Sequence, residues 1–299
     1  MTRVAGAPTR SRREAWAWGA GRLREAGLEG TDAALEAEVL LRHAAGLTRE
    51  ELLARPTVGM GTAPAAVYAD LITRRSLGAP VAYLVGHREF FGIDLVVDHR
   101  VMIPRPETER LVEVLVGALR DHPAPVVVDV GTGSGAVAIA VARMLPRARV
   151  LATDVSPGAL VVAQINAARC GVARRIAWAA GAGLEPLACL GVDRPADAVV
   201  SNPPYIPTSE IARLPREVRE HEPAVALDGG RDGLCVLREI IAGAARYLAP
   251  GGVLALEVAA MQDQAATVAA LIAAAGGFGP PGIVRDYAGA ERVVVASRP

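Results

Sequence analysis

Val126-Val127-Val128-Asp129-Val130-Gly131-Thr132-Gly133-Ser134-Gly135 decides the architecture of this chain. Its first five residues, four of them valine, read as a buried strand, and the alternate glycines then turn the backbone into a helix-like run over residues 136–144. Glycine lacks a Cβ, so the chain can turn sharply there and approach a bound molecule closely. The spacing is G-x-G-x-G rather than the dinucleotide G-x-G-x-x-G, and no Lys-Ser/Thr pair follows, which excludes a phosphate-binding P-loop. Asp154 stands at the end of the next strand-like run, residues 150–153. A carboxylate in that place can take both hydroxyls of a ribose. Loop and carboxylate on adjacent strands point to an adenosine-type cofactor.

Outward from this stretch, two patterns alternate. Strand-like runs continue at 175–179, 198–201, 253–258 and 292–297, and helix-like runs at 157–170, 234–248 and 260–275. Such alternation predicts an α/β fold with a doubly wound, mostly parallel sheet covered on both faces. Turn signals before the last strand are confined to residues 276–282, which leaves room for that strand to run antiparallel. Upstream, residues 1–80 carry helical periodicity over 14–26, 32–45, 49–54 and 64–77. In the second of these Leu35, Val39 and Leu40 mark the apolar face, Thr31-Asp32 the N-cap and Gly46 the C-cap. A small helical bundle is expected there. Over 81–104 the period changes: Phe90, Phe91, Ile93, Leu95, Val96 and Val97, broken by Gly92 and Asp94, predict a β-hairpin connector. A helix is expected over 107–119, and the sheet domain occupies 105–299.

The other chemically informative stretch is Asn202-Pro203-Pro204-Tyr205, directly after the apolar run that ends at Ser201. In a parallel sheet this places it at the carboxyl end of a strand, where such sheets bind ligands. The prolines fix φ and remove two backbone donors, so carbonyl acceptors dominate the turn. Asn202 adds a side-chain carbonyl, and Tyr205 a flat ring that can pack on a planar group. Together they form a receptor for a planar –NH2 whose nitrogen faces the cofactor. Acceptors that draw density onto such a nitrogen strengthen as positive charge develops on it.

Composition narrows the classes. Lys+Arg and Asp+Glu both number 32, so the formal charge is zero and the broad basic footprint of a nucleic-acid binder is absent. Hydrophobic residues make up 52% and aromatic residues only 4%, so Ala, Val and Leu must fill the core. Cys170, Cys189 and Cys235 lie far apart without a CxxC, and the five histidines form no HExxH or close pair. Neither a disulfide framework nor a metal site is expected, and a reducing, cytoplasmic setting is. Residues 1–13 have no apolar segment of a secretory signal, and the weakly polar run at 265–279 is shorter than the roughly 20 residues of a membrane span. The arginines among residues 3–25 read as a solvated helix face.

The glycine loop, Asp154 and Asn202–Tyr205 together resemble class I S-adenosylmethionine-dependent N-methyltransferases. Further stretches narrow the likeness: 78–83 (GAPVAY), 86–90 (GHREF), 103–109 (IPRPETE), 222–227 (EPAVAL), 230–233 (GRDG) and 256–258 (LEV) look like the bacterial release factor glutamine methyltransferases. The likeness runs from about residue 10 to the C-terminus. It implies a Rossmann-like methyltransferase sheet and S-adenosyl-L-methionine held by Gly131, Thr132, Gly133, Ser134, Gly135, Asp154 and Asn202. It also implies that Asn202, Pro203, Pro204 and Tyr205 hold a glutamine amide, with Asn202, Pro203 and Tyr205 as the catalytic set. The substrate implied is a peptide-chain release factor, methylated at N5 of the Gln in its Gly-Gly-Gln loop and gripped by the N-terminal helices. The family often has an acidic residue and a bulky aromatic near the adenine; here Ala182 and Gly183 stand in their place, and Trp178 reads as core. Arg105 is open between a cofactor-edge or channel role and a structural one. Glu107 and Glu109 read as helix-start residues, and Glu257 is open between a pocket-facing role and an ordinary strand-end carboxylate. Three other readings remain open: a ribosomal-protein glutamine methyltransferase, an adenine-N6 nucleic-acid methyltransferase, and a non-catalytic cofactor-binding module. Neutral charge and the lack of a target-recognition domain argue against the nucleic-acid enzyme, and the intact Asn202–Tyr205 segment against the module.

Overall fold

The computed structural model describes residues 11–189, 195–260 and 263–299. Arg3, Arg10, the side chain of Cys189 and residues 261–262 of the expected C-terminal helix lie outside the described residues. The chain divides into two compact units.

The first unit runs to Gly86 and also takes in Pro215–His221. It contains α1 (Arg12–Glu25), α2 (Gly30–Ala45), α3 (Arg49–Ala54), α4 (Thr62–Ser76), α5 (Val81–Val85) and, from far along the chain, α9 (Arg216–His221). A capping box starts α3, with Thr48 and Glu51 satisfying each other's backbone amides. Gly46 ends α2 in the left-handed conformation, as expected. Thr31-Asp32 is not its N-cap: the helix starts at Gly30 after Glu29, and Asp32 lies inside the first turn, where the helix dipole favours an acid. Nor is Leu35 in the core. It is 52% exposed, and the buried stripe is Ala33, Ala37, Leu40 and Leu41. Small residues let the helices sit close: a Cβ on Gly19 would lie 1.9 Å from the Tyr68 hydroxyl, which donates to the Ala37 carbonyl at 3.1 Å. Residues 81–85, assigned to the connector on sequence, form the helical turn α5 in this unit. Arg75 is buried and holds α9 through Glu217 at 2.7 Å, while its other nitrogens grip Glu36 at 2.6 and 2.9 Å.

The second unit comprises His87–Leu214 and Glu222–Pro299. It opens with the hairpin β1 (His87–Phe90) and β2 (Ile93–Val96), turned at Phe91 and Gly92, both at positive φ. There follow α6 (Glu109–Leu119), β3 (Val126–Val130), α7 (Ala136–Met144), β4 (Arg149–Asp154), α8 (Pro157–Arg169), β5 (Ile176–Ala180), β6 (Ala196–Ser201), α10 (Cys235–Tyr247), β7 (Leu248–Glu257), α11 (Gln264–Ala275), β8 (Gly282–Arg285) and β9 (Glu291–Ser297). The strands form one sheet in the order β5-β4-β3-β6-β7-β9-β8. The first five are parallel; β9 runs antiparallel to β7, and β8, which the sequence pattern did not single out, antiparallel to β9. Alternate residues of β3 face opposite sides: Val127 joins Leu111, Leu115 and Ile139, whereas Val126, Val128 and Val130 join Leu237, Ile240 and Val268. Helices therefore cover both faces, as a doubly wound sheet requires. From β3 the chain builds outward to β5 and then returns to β6 on the other side, so a crevice opens between the carboxyl ends of β3 and β6.

Candidate active site

A cleft of about 280 Å³ lies at that switch point, and Gly131, Gly133, Asp154 and Asn202 all line it. Gly131 and Gly133 adopt φ of +72° and +55°, with open space where a Cβ would stand. The loop is held from several sides. The Gly131 and Thr132 amides donate to the Thr153 carbonyl at 2.8 and 2.9 Å. Buried Asp129 accepts from the Thr132 hydroxyl at 2.6 Å and the Ala138 amide at 3.2 Å, and burial pushes its carboxyl up to about 6. Ser134 lines the cleft and its carbonyl accepts from Asn166 at 2.9 Å. Gly135 does not line it. A Cβ there would lie 3.0 Å from Ile139 and 3.1 Å from Ala163, so this glycine serves the packing of α7 against α8.

Asp154 is buried and accepts two backbone amides, Gly133 on Oδ2 and Ser156 on Oδ1, both at 2.8 Å. Burial nonetheless raises its carboxyl above the ordinary value. Each oxygen keeps a lone-pair direction for a further donor. The wall at Ala182 and Gly183 is a methyl group and backbone, with the Gly183 carbonyl taken by the Thr153 hydroxyl at 3.0 Å. Val155 and Val225 add an apolar, partly exposed rim.

Opposite the loop, the Ser201 hydroxyl bonds the Val130 carbonyl at 2.7 Å and joins the end of β6 to that of β3. Asn202, Pro203 and Pro204 line the cleft. The Asn202 amide nitrogen donates to Thr108 Oγ1 at 3.0 Å, which leaves Oδ1 as its remaining acceptor. Tyr205 is not at the cleft. Its ring packs against the core cluster of α10, β7 and α11, and its hydroxyl donates to Glu257 Oε1 at 3.3 Å. Its carbonyl accepts from the Gln264 side chain at 3.0 Å. The Pro203 carbonyl receives no protein donor among the described residues. Glu257 is buried and pushed up to about 7 by desolvation, with Oε2 lacking a partner.

Arg105 is not a cleft residue: it pairs with buried Glu222 at 2.5 Å, and the other Glu222 oxygen accepts the Ile103 amide at 3.3 Å. Glu109 accepts the Phe91 amide at 2.8 Å and so ties the hairpin to α6. Sequence reasoning missed Thr108 and Asn166. Asn166 is wholly buried in α8 and makes three side-chain bonds, to Ser134 and to both backbone groups of Val96. An asparagine, a weak helix former, within a mostly apolar helical run was the available signal.

Residues 14–86 match the family model of the PrmC N-terminal domain and residues 107–214 that of the Methyltransferase small domain. The release factor glutamine methyltransferase of Moorella thermoacetica is 46% identical over 264 residues, 88% of this chain and 91% of that one. That of Geobacter sulfurreducens is 42% identical over 278 residues, 93% of each. The chain belongs to the release factor glutamine methyltransferases. The chain is thus a methyltransferase. Among solved structures the hMettl16 catalytic domain shares the fold, with a TM-score of 0.56 at 15% identity over 77% of this chain and 81% of that one. No helix among the described residues is long and apolar enough to cross a membrane.

Proposed function

We propose that the enzyme methylates N5 of the glutamine in the Gly-Gly-Gln loop of peptide-chain release factors, with S-adenosyl-L-methionine as donor. The observation that carries this reading is Asn202. Its amide nitrogen is engaged by Thr108, and its oxygen, together with the Pro203 carbonyl, forms an acceptor pair at the mouth of the cleft. A carboxamide –NH2 has two hydrogens to offer to such a pair.

The cradle fits the donor. Gly131 and Gly133 present bare backbone, Asp154 presents a carboxylate for the ribose hydroxyls, and Val155 with Ala182 offers apolar surface to a flat ring. S-adenosylmethionine, when bound, supplies an electrophilic methyl group. The acceptors of Asn202 and Pro203 orient the substrate nitrogen and draw density onto it, and they strengthen as that nitrogen becomes positive. The protonated amide formed is strongly acidic, so its proton needs no strong base. The helical unit supplies the second contact area that recognition of one protein among many demands, since specific interfaces bury about 800 Å² per partner.

Asn202→Ala tests the reading in single-turnover methylation of a release factor. The rate falls about 10²–10³-fold, as when a preorganised polar contact is removed, while S-adenosylhomocysteine binding is largely kept. A loss below about tenfold removes Asn202 from the proposed role. Mass spectrometry of release factors and ribosomal proteins from cells with and without the enzyme separates the two protein-substrate readings.

A further inference from the structure

We propose that Glu239 is a specificity-determining residue of the cofactor site, whose carboxylate accepts the exocyclic amino group of the adenine. The inference rests on the reading of S-adenosylmethionine as the donor. Three carboxylates line the cleft: Asp129, Asp154 and Glu239. Asp129 is committed to the Thr132 hydroxyl and the Ala138 amide, and Asp154 to the Gly133 and Ser156 amides. Glu239 has no such commitment. It is exposed, and its one hydrogen bond among the described residues is the long contact from the Cys235 thiol at 3.9 Å. Its neighbour Arg238 is already paired with Asp232 at 2.6 Å.

The place of Glu239 follows from α10. Val236, Glu239 and Gly243 are spaced three and four residues apart, so they share one face of the helix. That face packs on the loop after β5: a Cβ on Gly243 would lie 3.0 Å from Leu184. Leu184 directly follows Ala182 and Gly183, which line the cleft together with Val236 and Glu239. Because α10 ends where β7 begins, the step from Gly243 to Glu239 rises about 6 Å along the helix toward the carboxyl ends of the strands, where the cleft opens. The wall at Ala182 and Gly183 needs such a group. Ala182 brings only a methyl, and the Gly183 carbonyl is taken by the Thr153 hydroxyl at 3.0 Å, so this loop has no side-chain acceptor. An adenine amino group carries two hydrogens, and a carboxylate accepts. A 6-oxo purine in the same place would set its carbonyl oxygen against the carboxylate, acceptor against acceptor. A residue that pairs with one base and opposes the other discriminates between them.

The test is calorimetric titration of the full chain with two probes: S-adenosylhomocysteine, and S-inosylhomocysteine, which has a 6-oxo group in place of the 6-amino group. The parent is expected to prefer S-adenosylhomocysteine by about tenfold or more. Glu239→Ala lowers S-adenosylhomocysteine affinity about three- to tenfold, the range of one hydrogen bond, and leaves S-inosylhomocysteine affinity unchanged within about twofold. In Glu239→Gln the amide can turn its oxygen to an amino group or its –NH2 to a carbonyl, so the preference shrinks about fivefold. Both variants are expected to fold, because the side chain is exposed, and melting curves check this. The proposal is overturned if the parent shows no preference. It is also overturned if the ratio of the two affinities stays within about twofold of the parent in both variants, even where both affinities fall together, since that pattern marks a merely structural side chain. If the parent binds neither probe, the donor reading of the cleft fails and the proposal fails with it.

Discussion

Asp154→Asn is the most informative perturbation of the cofactor side of the cleft. The aspartate carries two loads: Oδ2 receives the Gly133 amide and Oδ1 the Ser156 amide, both at 2.8 Å. Asparagine keeps the shape but has one oxygen. Whichever backbone amide it keeps, the other then faces an –NH2 group, donor against donor. A hydrogen bond to a charged group contributes about 1.5–3 kcal/mol, so stability drops by about 2–3 kcal/mol and the melting temperature by about 5–10 °C. The ribose hydroxyls lose an acceptor at the same time, which weakens S-adenosylhomocysteine binding about ten- to a hundredfold. Calorimetric titration and melting curves with and without S-adenosylhomocysteine measure both effects. A variant that melts early but binds S-adenosylhomocysteine within about threefold of the parent would reduce Asp154 to a loop staple and refute its role toward the ribose.

Two further outcomes concern buried polar groups. Asn166→Leu strands the Val96 amide and carbonyl and frees the Ser134 carbonyl; at about 1–3 kcal/mol for a buried group left unpaired, denaturant unfolding should show a loss of several kcal/mol with a weakened glycine loop. A midpoint shift worth under about 1 kcal/mol would mean that water replaces these bonds. Glu257 lies among Tyr205, Thr108, Arg292 and Glu107, and desolvation lifts its carboxyl from 4.5 to about 7. Between those values the folded chain holds a proton that the unfolded chain has released, so the stability from this group is present at low pH and lost as pH rises through 7. Glu257→Gln removes that dependence, and its melting temperature relative to the parent should rise from pH 5 to pH 8; a constant difference would contradict a raised carboxyl.

Much of the fold was legible because it rests on local rules. The apolar runs of β3, β4 and β6 are buried on both faces and read as strands. The short, half-exposed β8 carries no such signal. In α2 the apolar leucine at 35 was misleading, because the buried stripe is Ala33, Ala37, Leu40 and Leu41 and leaves that leucine outside.

By itself the sequence determined that a glycine loop, an aspartate and an Asn-Pro-Pro-Tyr turn follow three strands of a parallel sheet, since each depends on contiguous residues and on a two-residue or 3.6-residue period. Only the tertiary structure decided what those residues touch. Gly135 went to helix packing, Tyr205 to a buried carboxylate and Arg105 to Glu222, while Thr108 and Asn166 became supports of the site. The reason is physical: a buried polar group must find its partner wherever the fold brings one, and partners such as Thr108 and Asn202, 94 positions apart, leave no trace in any local pattern.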